Sequence, residues 1–166
     1  ILAAVLGAYT GFLLSALISY PMLNNPVLPA LFLASGTSSG IAATFLFILI
    51  AGKLKGDSHE SHFIHKFEVP IMVTELGLLI CFFVGLHFGG GQKVVALQNA
   101  LSGFWGAVFW IGVFLIGILI PLLANLAVKD NLKYNKNFII LVSIFDLIGV
   151  LCLRYFILYA GQLTVA

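Results

Sequence analysis

Charged residues are scarce in this sequence: Asp, Glu, Lys and Arg make up 8% of its 166 residues, whereas a soluble domain carries about 25%. Hydrophobic residues make up 61%, and the mean hydropathy is +1.15. A protein with so few charges cannot cover a water-facing surface, so a soluble domain is excluded and a lipid bilayer is indicated. The net charge of +2 is too small to indicate nucleic acid binding.

Cysteine is also scarce, because the sequence has only Cys81 and Cys152, in separate apolar stretches. This excludes a disulfide framework, a zinc site and a cysteine-ligated iron–sulfur cluster. His59, His62 and His65 lie in a segment rich in Ser, Asp and Glu, which is more typical of a solvated loop than of a metal site. The sequence has no glycine-rich nucleotide loop and no nucleophile–base arrangement. We therefore expect no catalytic residue, no metal ligand and no haem or iron–sulfur cluster held by this chain.

Long apolar runs are what the sequence does contain, and five of them are long enough to cross a hydrocarbon core of about 30 Å as helices. They are uniformly apolar rather than alternating, which favours helices over a barrel. We predict an all-α, polytopic transmembrane helix bundle that forms a single domain over residues 1–166. The predicted spans are Ile1–Tyr20, Leu28–Ala51, Val69–Phe88, Phe104–Ala127 and Phe138–Ala160.

Lysines are unevenly distributed over the predicted loops. Six of the seven lie in Gly52–Glu68 and Val128–Asn137, whereas Pro21–Val27 has none and Gly89–Gly103 has Lys93 alone. Because short cytoplasmic loops carry an excess of Lys and Arg, the two lysine-rich loops are predicted to be cytoplasmic. The other two loops and the C-terminal tail then face outward, which in a bacterium is the periplasm.

Three ionisable residues interrupt the apolar runs: Glu75 in the third, and Asp146 and Arg154 in the fifth. A charged side chain at the centre of a bilayer costs roughly 2.5–3.5 kcal/mol or more, so these residues are either structural pairs or part of a proton or ligand path. Asp146 and Arg154 are about 12 Å apart along a helix, too far to pair directly. Arg154 must therefore find a partner on another helix, such as a carboxylate, or in another subunit. Glu68 precedes Glu75 by about 10 Å on the same face and is a candidate entry to the path.

Small residues and a proline predict how the helices pack. Gly7 and Gly11 are four residues apart, as are Gly36 and Gly40, and either pair allows a close contact between helices. Pro121 falls late in the fourth span, where it is expected to kink the helix.

Six motifs, in this order, resemble the NrfD/PsrC-type family of integral membrane subunits of respiratory oxidoreductase complexes. They match the last five of the family's eight core helices, so we expect the chain to be the C-terminal part of a longer one. The motifs are AYTGFLLSA (Ala8–Ala16), PMLNNPVLP (Pro21–Pro29), LFLASGTSSGIA (Leu31–Ala42), EVPIMVTELGLL (Glu68–Leu79), GILIP (Gly117–Pro121) and LRYFILYAGQ (Leu153–Gln162).

The resemblance implies a subunit that reacts with a quinone, menaquinone or ubiquinone, in a bacterial or archaeal inner membrane. It implies a multi-pass membrane subunit of a quinone-linked oxidoreductase rather than a complete enzyme. Tyr9 matches the tyrosine that lies near the quinone in relatives, and Ser35 and Ser38 are further candidates for quinone contacts. The implied partners are a ferredoxin-like iron–sulfur subunit, docked on the Pro21–Pro29 side, and a molybdenum catalytic subunit or a multihaem cytochrome c.

Two other functions fit the same residues. Tyr9 is equally suited to a hydrogen bond between helices, and Glu75 to an ion pair with Arg154. With every intramembrane charge paired, the protein would be a non-catalytic anchor of a redox complex. Buried charges, glycines and a kinked helix are also typical of a transporter or an ion channel. If Glu68, Glu75, Asp146 and Arg154 instead carry protons, burial favours the neutral carboxylic acids, which can take up and release protons.

Overall fold

The structure is a computed structural model that describes residues 2–51, 59–127 and 136–163. Every secondary-structure element in these residues is helical. In sequence order the elements are α1 (Leu2–Ser15), α2 (Leu28–Ile50), α3 (His59–Phe88), α4 (Gln92–Leu101), α5 (Gly103–Ala107), the π-helix π1 (Val108–Leu119), α6 (Ile120–Ala127) and α7 (Lys136–Leu163). Because α5, π1 and α6 follow one another directly, they form one continuous membrane span, the fourth span.

Four segments of the described residues are long and apolar enough to cross a membrane, which confirms the predicted all-α, polytopic bundle. They are Leu28–Ile50, Val69–Phe88, Gly103–Ala124 and Asn137–Leu163.

The predicted first span is the exception, because α1 ends at Ser15 instead of continuing to Tyr20. Its 14 described residues extend over about 21 Å. The backbone N–H groups of Leu17 and Tyr20 each bond to a carbonyl three residues earlier, so the backbone turns here although its composition stays apolar.

Two predicted loops contain helices. α3 begins at His59, so the three histidines of the Gly52–Glu68 loop belong to a helix; residues 52–58 lie outside the described residues. The Gly89–Gly103 loop contains the short helix α4, which buries Ala96, Leu97 and Ala100. These helices were not predicted because the polar composition of both segments indicated loops. The amphipathic pattern of α4 allows it to pack on the bundle through one face.

α2 and α7 are the central helices of the bundle. α2 packs against α1, α3 and α7, and α7 also packs against the fourth span. Large side chains from several elements meet in one core. Because α2 and α7 contact the other spans, polar side chains from different spans can meet at these two helices. The fully buried members of this core include Met22, Leu23, Leu28, Leu31, Phe82, Leu86, Phe156 and Ile157.

Hydrogen bonds attach the Pro21–Val27 loop to its neighbours. The buried Asn25 side chain donates from Nδ2 to the Phe82 carbonyl (3.1 Å), and its Oδ1 accepts from the Val27 N–H (3.1 Å). Lys93 on α4 donates from Nζ to the Asn24 carbonyl (2.9 Å). The loop and α4 therefore lie at the same end of the bundle, and the assignment of that end to the outer side of the membrane stays a prediction.

The glycine contacts differ from those predicted. Gly11 allows a close approach, since a β-carbon there would lie 2.5 Å from the Pro29 Cα, and Gly7 makes only an ordinary contact with Leu33. Gly40 has no atom within 4 Å of the position of a β-carbon, so the prediction of a close helix contact at Gly40 was wrong. That part of α2 does not approach another helix closely enough to require a glycine.

The closest approach between spans joins Gly117 of π1 to Gly149 of α7. A β-carbon on Gly117 would lie 2.6 Å from the Gly149 Cα, and one on Gly112 would lie 2.9 Å from the Cys152 Sγ. Hydrogen bonds in a π-helix join residues five apart, so Gly112 and Gly117 lie one above the other on the face that contacts α7. A search for glycines four residues apart does not find this pair.

The π-helix π1 lies just before Pro121, where a kink was predicted. The Ile120 N–H bonds to the Leu115 carbonyl, five residues earlier, and π1 ends at Leu119, two residues before the proline. The change in winding therefore extends over the 12 residues of π1 rather than over the single turn before Pro121.

Gly149→Ala is expected to lower the free energy of unfolding by about 1–3 kcal/mol, because the new methyl group would overlap the backbone of Gly117. The measurement is the apparent melting temperature of the full chain in detergent. Gly77→Ala is the matched control, because nothing lies within 4 Å of a β-carbon there. Equal melting temperatures for the two variants would contradict the close contact.

Candidate functional site

A hydrogen bond between Ser38 and Asp146 links the two central helices. Both side chains are buried, with Asp146 only 2% exposed. The Ser38 hydroxyl lies 3.1 Å from each oxygen of the Asp146 carboxyl group and donates to it. The two residues are 108 positions apart in the sequence, so the sequence identified both as candidates without showing that they are partners.

Glu75 lies near this pair. It is 5% exposed on α3, which packs against α2. Glu75 lies within electrostatic range of both Asp146 and Arg154. The three residues that interrupt the apolar runs, which come from α3 and α7, therefore form one electrostatic cluster.

Arg154 lies against the N-terminal half of α2. Its guanidinium carbon is 5.3 Å from the centroid of the Phe32 ring, within the range of a cation–π interaction. A β-carbon on Gly36 would lie 3.6 Å from Nη2 of Arg154, so the guanidinium lies close to the backbone of α2. The Nε of Arg154 is buried and has no hydrogen-bond partner among the residues that the structure describes.

A cavity of about 230 Å³ opens beside Arg154, between α1, α2 and α7. Apart from the arginine and one threonine, its walls are hydrocarbon. Its lining residues are Thr10, Leu13, Leu14, Phe32, Arg154 and Leu158.

The three predicted quinone residues, Tyr9, Ser35 and Ser38, lie in different surroundings. Tyr9 lies on α1 and is 54% exposed, and it does not line this cavity. Ser35 is buried and donates to the Phe32 carbonyl of its own helix (3.2 Å), whereas Ser38 donates to Asp146. The role of these three residues in quinone binding stays a prediction. Glu68 belongs to α3, as expected, and its side chain lies outside the described residues.

Two features at the end of the bundle that contains α4 were not predicted. One is a group of aromatic rings: Trp105 stacks on Tyr159, with centroids 6.1 Å apart and planes at 9°, and Tyr155 lies 4.5 Å from Tyr159. The spacing of four residues between Tyr155 and Tyr159 was visible in the sequence and could have indicated this contact. The other is a wholly apolar groove of about 520 Å³ between α3, α4 and the fourth span, with walls that include Phe83, Phe109 and Trp110.

Comparisons with known proteins confirm the resemblance. The model of a family described as polysulphide reductase, NrfD, matches residues 1–166. The sequence is 90% identical over 166 residues to "Protein NrfD homolog" of Haemophilus influenzae, and 50% identical over 167 residues to "Protein NrfD" of Escherichia coli. It is 42% identical over 165 residues to a polypeptide of the polysulfide reductase of Wolinella succinogenes.

The alignments cover 100%, 100% and 98% of this chain, but 52%, 52% and 51% of these three relatives. The chain therefore spans about half the length of the curated relatives that it matches. No solved structure matches it.

Ser38→Ala is expected to lower the free energy of unfolding by about 1–3 kcal/mol, because the buried Asp146 would lose a hydrogen bond without gaining access to water. Ser39→Ala is the matched control on the same helix, since the Ser39 hydroxyl donates to the Gly36 carbonyl of α2 itself. Melting temperatures of the full chain in detergent provide the comparison. If Ser39→Ala lowers the melting temperature as much as Ser38→Ala, the link between α2 and α7 contributes no particular stability.

Proposed function

This chain belongs to the NrfD polysulphide reductase family, and from that premise we propose that it is part of the membrane subunit of a respiratory redox complex. In this proposal the subunit exchanges electrons between a quinone, menaquinone or ubiquinone, and an iron–sulfur subunit docked at the Pro21–Pro29 end. Electrons pass on to or from a molybdenum subunit or a multihaem cytochrome c. The membrane is the inner membrane of a bacterium or an archaeon.

The buried cluster of Glu75, Asp146, Ser38 and Arg154 is the observation that carries the proposal. Reduction of a quinone to a quinol takes up two electrons and two protons, so a quinone-reactive subunit in a membrane needs groups that deliver protons. Two carboxyl groups that interact in an apolar interior resist being ionised together. The cluster is therefore suited to hold a proton and to release it when the local charge changes.

The ionisable groups are arranged along the direction that protons have to travel. Glu68 and Glu75 are seven residues apart on α3, which corresponds to about 10 Å, and Asp146 and Arg154 are separated by about 12 Å on α7. Glu75 interacts with both residues of α7. In this proposal the four groups provide successive positions from the predicted cytoplasmic side toward the predicted outer side.

A structural role is the main competitor to this proposal. The Ser38 hydroxyl interacts with both oxygens of Asp146, which is also what a purely structural bond would do. Against a simple pair of Glu75 and Arg154, Glu75 lies within electrostatic range of Asp146 as well as of the arginine. An anchor without redox function requires the charges to be matched in pairs, which substitutions can test.

Tyr9→Phe is expected to raise the KM for quinone of the intact complex about three- to tenfold, because the phenol would no longer donate a hydrogen bond. Turnover is measured with a short-chain quinol and, separately, with an artificial electron donor that bypasses the quinone site. Tyr159→Phe, which removes the hydroxyl of another exposed tyrosine, is the control. A KM equal to that of the control would exclude Tyr9 from the quinone site.

Glu75→Gln is expected to assemble normally, since the amide resembles the neutral acid, while quinone-coupled proton movement falls by about a hundredfold. The measurement combines assembly of the complex with proton uptake or release during turnover. Arg154→Gln and the double variant are assayed in parallel. If each single variant assembles poorly and the double variant recovers, Glu75 and Arg154 form a structural ion pair, and the proton role is contradicted.

A further inference from the structure

The apolar groove between α3, α4 and the fourth span has walls that suit a hydrocarbon. No polar atom of the described residues is exposed in it, so water and a polar ligand would find no hydrogen-bond partner there. Its α3 wall and its fourth-span wall belong to membrane-crossing segments. Ile80 and Trp110 on these two walls are more than half exposed, so the groove opens at the surface of the membrane-crossing part.

The size of the groove distinguishes a hydrocarbon chain from a transmembrane helix. The α3 wall runs from Leu76 to Val84, eight residues that extend over about 12 Å. A helix with its side chains is about 10–12 Å wide, so 12 Å of it fills roughly 900–1,400 Å³. The groove measures about 520 Å³. A helix would therefore rest on its rim, whereas a single extended acyl chain can lie inside.

One end of the groove is closed by α4, which carries a cation. Lys93, Leu97 and Leu101 are four residues apart and lie on one face of α4, and the two leucines line the groove. Lys93 is also the one lysine outside the two lysine-rich segments. Its ammonium group has three N–H donors, and one of them bonds to the Asn24 carbonyl. Two donors are left for an oxygen of another molecule.

Aromatic residues indicate that this end lies at the level of the lipid headgroups. Trp105, four residues after Leu101, stacks on Tyr159, and Tyr155 lies next to Tyr159. Both tyrosines are nearly half exposed. Tryptophan and tyrosine concentrate where a membrane meets water, because their rings are apolar and their N–H or O–H groups are polar. A cation one helical turn before the groove thus lies where phosphates are found.

We infer that the groove holds one acyl chain of a phospholipid, whose phosphate is bound by Lys93. The inference goes beyond the proposed function and does not depend on it, since it requires neither a quinone nor a redox partner. Lysine attracts anionic headgroups, and the apolar walls take the chain. Because Lys93 also bonds to the Asn24 carbonyl, the bound lipid would be joined through this lysine to the Pro21–Val27 loop.

Photolabelling of the full chain with a phosphatidylglycerol that carries a diazirine in one acyl chain tests the site. After peptide mapping, we expect labels on residues 76–84, 97–101 and 109–114. Excess unlabelled phosphatidylglycerol should prevent them, and diacylglycerol, which lacks the phosphate, should compete about fivefold more weakly, the effect of one lysine. An absence of labels from these three segments would overturn the inference, because another occupant would then cover the groove. Equal protection by a quinone would also overturn it.

Two exposed isoleucines provide a matched pair of substitutions for the groove. Ile80 lines it and Ile111 does not, although each is 56% exposed. After washing in lipid-free detergent, mass spectrometry of the intact protein should find one phospholipid on the wild type and on Ile111→Trp. Ile80→Trp should lose this lipid about tenfold faster. Equal rates for the two variants would contradict the site; if Ile80→Trp does not fold, the labelling of the wild type decides.

Substitutions of Lys93 test the headgroup separately from the chain. In Lys93→Met the side chain has no charge, so phosphatidylglycerol and diacylglycerol should prevent the labelling equally well. Lys93→Arg keeps the charge and should keep the difference of about fivefold. Loss of the bond to Asn24 alone would weaken both competitors together and leave their ratio unchanged. An unchanged ratio in Lys93→Met would therefore show that Lys93 does not bind the phosphate, and the inference would be wrong.

Discussion

A carboxyl group in the middle of an apolar helix bundle has to find a polar partner within the protein, and this requirement governs the arrangement of the spans. Asp146 meets it through the hydroxyl of Ser38. The bond joins α2 to α7, and the other helices pack around these two. Because lipid competes with protein for apolar surfaces without preference, such polar contacts and close packing determine which helices associate. Glu75 lies within electrostatic range of Asp146.

Close packing supplies the second constraint. Gly117 and Gly149 allow the fourth span to lie directly against α7, and the π-helical winding aligns Gly112 with Gly117 on that face. α7 is therefore held on one side by backbone contact and on the other by α2. This position directs Arg154 toward Phe32 and Gly36. The geometry beside the cavity thus depends on glycines that take no part in any chemistry.

The functional conclusion rests on family membership and on the arrangement of the buried side chains. Family membership applies to residues 1–166, although the chain spans about half the length of its curated relatives. Within that half, the carboxyl groups are buried together and the arginine is next to a cavity. A subunit that only anchored other proteins would need these charges matched in pairs.

The sequence by itself determined the membrane location, the helical class and the residues that needed partners. The scarcity of charge dictated the first two, and the separation of about 12 Å between Asp146 and Arg154 along a helix showed that each had to bond elsewhere. Only the tertiary structure decided that Ser38 is a partner of Asp146, that α4 and the start of α3 are helical, and that the closest glycine contact is on π1. The reason is physical: in a membrane protein, lipid-facing and buried positions are equally apolar, so hydrophobicity identifies the helices without showing which faces meet.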